Sequence, residues 1–104
     1  MDVLVDFDKL PWESPRPGMR SKAFVQGSRR LRLLEFAGGY EEPEWCTREH
    51  AFHVLDGGFS LLLRDDRVHL EAGDTGFLPA GDEHAHKAVL GADEHVLLLL
   101  FEVL

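Results

Sequence analysis

The side chains best placed to do chemistry in this 104-residue sequence fall in two short segments. In the first, Glu44, Cys46, Arg48 and His50 alternate with other residues, and in the second His84 and His86 lie two apart. Imidazole, thiolate and carboxylate are the donors that hold divalent transition metals, and imidazole also moves protons near neutral pH. Residues of equal parity on an extended strand face the same way, so an extended 44–50 segment turns all four of its side chains to one face. His84 and His86 share a face of their own strand by the same rule. The remaining histidines lack such support. His69 alternates with Val68 and Leu70 and should face solvent, His53 falls on the face opposite His50, and His53, His69 and His95 are all expected to be structural. Other chemistries lack their signatures: the sequence has no GxSxG elbow, no Gly-rich phosphate loop and no Cys-x-x-Cys pair.

The elements that must position these residues are short and strand-like. Alternating or continuous apolar segments occur at 31–36, 51–55, 59–64, 68–71, 75–78, 84–90 and 96–103, and no stretch has convincing helical periodicity. Turn-formers separate them, among them Gly38 and Gly39, Gly57 and Gly58, Asp65 and Asp66, and Gly73 and Asp74. Upstream, PWESPRPGM at 11–19 holds three prolines, which remove backbone donors and exclude a central strand. Residues 1–29 are therefore expected to form an extended arm. It either wraps the barrel wall with Trp12 as an apolar plug or adds to a partner subunit. Residues 30–104 are expected to form one all-β barrel domain. The last strand, VLLLLF at 96–101, is apolar on both faces and must be covered on both, which predicts a homodimer.

Length and composition agree with one domain, since 44% hydrophobic residues with seven Phe, two Trp and one Tyr suffice for a single core. A formal charge of −8, with basic residues scattered apart from Arg29 and Arg30, argues against nucleic acid and anionic lipid as partners. No apolar run is long enough for a membrane helix, and MDVLVDFD at 1–8 is acidic where a signal peptide is basic. With Cys46 as the one cysteine, no intrachain disulfide can form, which fits a reducing compartment and a cytoplasmic location.

From Gly73 the chain reads GDTGFLPAGDEHAHKA. Glycine, five residues, Pro79, one residue, Gly81, two residues and His84 resemble the second motif of the cupin superfamily, although the family's asparagine position is Ala88. Gly73 permits a tight turn, and Pro79 with Gly81 shapes a rigid corner ahead of His84. Upstream, EWCTREHAFHVLDG at 44–57 resembles the first cupin motif through its Val-Leu-Asp-Gly ending. Its ligand part departs from the family. Glu44, Trp45 and Cys46 stand where cupins carry a His-x-His pair, and His50 stands in place of the following glutamate.

The resemblance implies a cupin double-stranded β-helix, a jelly-roll barrel, with one divalent transition metal, zinc or iron, at its mouth. His84 occupies a family ligand position, and His50 should point into the same cavity. Glu44 or Cys46 completes the set: Glu44 with the two histidines matches non-haem ferrous oxygenases, whereas Cys46 favours zinc or copper. His86 is expected beside the site as an acid or base, as a lining residue, or as a further ligand. Phe52, Val54, Phe77 and Trp45 could supply apolar walls or ordinary core. Three functions fit: a metal-dependent cupin acting on a small organic molecule, a non-catalytic ligand-binding module, and a structural homodimer. The altered first motif favours the second over a standard dioxygenase.

Overall fold

Inward apolar residues alternate with outward ones on most strands of the computed structural model, which describes residues 3–104. Among the described residues the strands are β1 (Glu13–Arg16), β2 (Met19–Gln26), β3 (Arg29–Phe36), β4 (His50–Leu62), β5 (Arg67–Glu71), β6 (Thr75–Leu78), β7 (Lys87–Val89) and β8 (Val96–Val103). All named pairings are antiparallel, in the order β1-β2-β3-β8-β4-β5, with β6 and β7 also on β4. The curled sheet encloses a core that includes Leu34, Phe36, Phe52, Val54, Phe59, Leu61, Val96, Leu98 and Leu100. No helix among the described residues is long and apolar enough to cross a membrane.

β4 holds the two halves together. Gly57 and Gly58, expected as a turn between two strands, lie inside one continuous strand of 13 residues. Up to Gly57 this strand pairs with β8, and from Gly58 it pairs with β5. A register irregularity between Val54 and Asp56 prepares the crossing, and Gly57 completes it at φ +77°. A Cβ at Gly57 would stand 2.0 Å from the His95 carbonyl oxygen, so only glycine lets β4 pass so close.

The N-terminal segment also differs from expectation. Residues 13–26, placed in an extended arm by the sequence, form β1 and β2 of the main sheet. Pro15 is accommodated because β1 is an edge strand, and β2 escapes notice because most of it is exposed and its buried residue is Ser21. Trp12 rests on its own chain, with the Arg20 guanidinium 4.1 Å and the Lys22 ammonium 5.0 Å from its ring centroid.

β8 faces two ways. Val96, Leu98, Leu100 and Glu102 point inward and are buried, while Phe101 and Val103 are exposed outside. The inward row therefore ends in a carboxylate, at the open end of the barrel where the candidate site lies.

Candidate metal centre

Cys46, His50 and His86 each offer a donor atom within 4.8 Å of the others. Cys46 and His86 face each other in an isolated antiparallel bridge, with the Cys46 amide donating to the His86 carbonyl at 2.9 Å and the reverse bond at 3.0 Å. His50 opens β4 four residues on, and its Nε2 lies 3.2 Å from Cys46 Sγ. The two imidazoles meet edge to face, 5.0 Å between centroids. His86 Nδ1 lies 3.2 Å from the His84 carbonyl oxygen, which can only accept, so this contact holds the proton on Nδ1 and leaves Nε2 as a bare lone pair.

Behind His50 is a charged row set by strand register. Glu102 of β8 is paired with Arg30 of β3 on one side and His50 of β4 on the other. Its Oε1 accepts from Arg30 Nε at 2.9 Å and Arg32 Nε at 2.6 Å, and its Oε2 accepts from Arg32 Nη2 at 3.1 Å. Burial pushes the Glu102 carboxyl up, but the hydrogen bonds and charges of Arg30 and Arg32 outweigh it and hold the group below its ordinary value. His50 Nδ1 is 3.3 Å from Glu102 Oε2, within ion-pair reach but outside hydrogen-bond alignment, so this nitrogen is buried without a hydrogen-bond partner. A carboxylate behind one imidazole nitrogen is the usual support for a histidine that binds metal through the other. The donor set and its backing therefore fit a divalent ion.

The hydrogen bond with His50 is the main reason the Cys46 thiol lies below its ordinary value, against the opposing effect of burial. Glu42 moves the other way. Burial raises its carboxyl, partly offset by the Ala88 amide that donates to its Oε1 at 2.8 Å and by the charges of Arg32 and Arg16. All these groups line one cavity of about 590 Å³, whose apolar walls include Phe36, Tyr40, Phe52 and Leu98.

No protein-family model matches the sequence, and no curated protein does. Solved structures do. The polyketide cyclase RemF from Streptomyces resistomycificus superposes with a TM-score of 0.81 at 22% identity, over 99% of this chain and 80% of that one. An RmlC-like cupin from Shewanella frigidimarina gives 0.79 at 18% identity, over 99% and 91%. This chain has the cupin fold. KdgF from Halomonas sp. shares it too, with a TM-score of 0.72 at 23% identity over 93% of this chain and 91% of that one.

On this cupin barrel the residues expected at the site separate. Cys46 and His50 join the group, as does His86, whereas His84 does not. Asp82–His84 forms a 3-10 turn after Gly81, which breaks the strand alternation assumed for 84–90; the His84 ring is exposed, 3.6 Å from Glu83. His84 contributes its carbonyl oxygen instead of its ring. Glu44 lines the cavity but is exposed and outside the donor group. Phe52 and Trp45 line the cavity, while Val54 is core and Phe77 faces outward. His53 meets the Thr75 hydroxyl at 2.7 Å, His69 lies between Glu71 and Glu94, and His95 pairs with Asp56. Glu102, Arg30, Arg32 and Glu42 were missed. Their signal was parity, since Arg30 and Arg32 share a face with Leu34 and Phe36, and Glu102 shares one with Val96, Leu98 and Leu100.

Two measurements probe this network. In chelator-treated protein, iodoacetamide should alkylate Cys46 with a pH midpoint below the ordinary 9.0, and His50→Gln should move that midpoint upward. Glu102→Gln should destabilise the fold by roughly 3 kcal/mol in urea, because it strands two largely buried guanidinium groups. As a carboxyl with a depressed value, Glu102 should stabilise the fold fully above its ordinary 4.5 and lose that contribution as the pH falls through the folded value. The glutamine variant should lack this part of the acid dependence.

Proposed function

We propose that this cupin binds a small organic molecule in its barrel cavity beside one divalent transition metal ion held by Cys46, His50 and His86. The observation that supports it is the convergence of these donors, backed by Glu102 and the His84 carbonyl, on a cavity large enough for a metabolite. A thiolate with two imidazoles favours zinc or copper, and with Glu44 outside the donor group the carboxylate set suited to ferrous iron loses its third ligand. Bound zinc supplies Lewis-acid polarisation of a carbonyl oxygen or an activated water. Solved proteins of this fold include ones named as a polyketide cyclase and a sugar phosphate isomerase, so the scaffold accommodates catalysis on small organic molecules. A reducing compartment such as the cytoplasm keeps the thiol available.

A second reading, a ligand-binding cupin without metal, draws on the 3.2 Å contact between Cys46 Sγ and His50 Nε2, which satisfies both atoms with no ion. Elemental analysis of protein purified without a chelating tag separates the two. About one equivalent of zinc or copper is expected, lost in His50→Ala, His86→Ala and Cys46→Ser and retained in His84→Ala. Absence of metal after anaerobic reconstitution with zinc, copper and ferrous iron removes the metal and leaves the binding module.

We also propose a homodimer, formed through the outer face of the main sheet. Phe24, Leu31, Phe101, Ala51 and Phe77 are register partners in one outer row across β2, β3, β8, β4 and β6, and Phe24, Phe101 and Phe77 are exposed. A continuous apolar row of this kind suits a second copy of the same sheet. Sedimentation at micromolar concentration should give twice the chain mass, and Phe101→Asp with Phe77→Asp should halve it. A monomer for the unsubstituted chain would rule the dimer out.

A further inference from the structure

The charge of the cavity is opposite to that of the chain. Against a net −8 for the whole sequence, the cavity is lined by four arginines, Arg16, Arg30, Arg32 and Arg48, and by three carboxylates, Glu42, Glu44 and Glu102. The lining is positive by one before any metal is counted, and no aspartate contributes to it.

The arginines are also unequally occupied. Arg30 and Arg32 both hold Glu102, so a single carboxylate already meets two guanidinium groups. Arg16 and Arg48 are exposed at the rim, and among the described residues neither has a carboxylate within ion-pair distance. Arg16 lines the cavity together with Tyr40, whose hydroxyl meets Met19 Sδ at 3.7 Å and whose ring stacks on Phe36 at 4.6 Å. Arg48 lies between the two donors Cys46 and His50 in sequence, and its amide faces the Cys46 sulfur. Cationic forks at the rim of an apolar cavity match a planar carboxylate on an apolar body, and a guanidinium holds such a group through two parallel hydrogen bonds. Isolated cations in an anionic protein act at short range, because the surrounding field does not favour anions in general.

We infer that the cavity takes a small organic acid, its apolar body against Phe36, Tyr40 and Leu98 and its carboxylate held at the rim by Arg16 and Arg48. The inference rests on the cavity being the ligand site, as proposed above, but not on the metal. A neutral molecule of the same shape leaves both guanidinium groups without an anion, so the site selects by charge as well as by fit.

Isothermal titration calorimetry with benzoate, phenylacetate and hexanoate, each beside its primary amide, tests it on both chelator-treated and zinc-loaded protein. In the chelator-treated protein at least one acid should bind about tenfold or more tightly than its amide. That preference should shrink as salt is raised. The double variant Arg16→Gln with Arg48→Gln should bring acid and amide to parity, and Arg16→Lys with Arg48→Lys should restore part of the difference. Both arginines are exposed, so the variants should keep the thermal unfolding midpoint of the parent. Equal affinity for acids and amides, no binding of any acid, or a preference that survives the glutamine double variant would overturn the inference. Acid selectivity in a protein that takes up no zinc would sustain it while removing the metal, which separates the two failures.

Discussion

A carboxylate buried inside a barrel stays ionised only when cations enter with it, and Arg30 and Arg32 of β3 meet that demand for Glu102, which has His50 of β4 on its other side. The arrangement depends on register. A slip of one residue between β8 and either neighbour would turn Glu102 to the outer face and leave the arginines or the histidine facing apolar side chains. The same pairing that closes the barrel therefore aims His50 at Cys46. Stability and site geometry draw on one set of contacts, so the inner end of β8 serves both the fold and the geometry of the candidate site.

The rest of the site follows from how β4 is used. Its first half carries His50 and Phe52 into the sheet with β8 and β6, and its second half carries Phe59 and Leu61 to β5 and β7. One strand shared by both halves fixes the cavity's walls relative to each other, and Gly57 makes the crossing possible where β4 passes the His95 carbonyl. The remaining donors, Cys46 and His86, come from segments outside the regular strands. They are tied to each other by two backbone hydrogen bonds instead of by a full ladder.

Polarity is arranged against the average of the chain. The exterior carries most of the acidic residues, while arginines gather at the cavity, two consumed by Glu102 and two at the rim. Burial raises the Glu42 carboxyl above its ordinary value, and the Ala88 amide and the nearby arginines act against that rise. The outer face of the main sheet instead carries an apolar row from Phe24 through Leu31, Phe101 and Ala51 to Phe77, beside the ion pair of Arg20 and Glu35.

The all-β fold, the cupin resemblance and the shared face of Cys46 and His50 were legible in the sequence, because alternation, glycine and proline spacing, and strand parity are local properties. Glu102, Arg30 and Arg32 share parity with buried apolar neighbours, but their meeting was hidden, since neither arginine is near Glu102 in the chain. The choice between His84 and His86 could not be made locally. It turns on a 3-10 turn that interrupts the alternation after Gly81, and that turn is held by where the neighbouring segments lie: the Gly81 amide bonds to the Thr47 carbonyl, and Cys46 clasps His86. Sequence determined which residue types were available and which faces they favoured. Only the tertiary structure decided which of them meet, because His86 and Glu102 lie tens of positions from Cys46 and His50 in the chain.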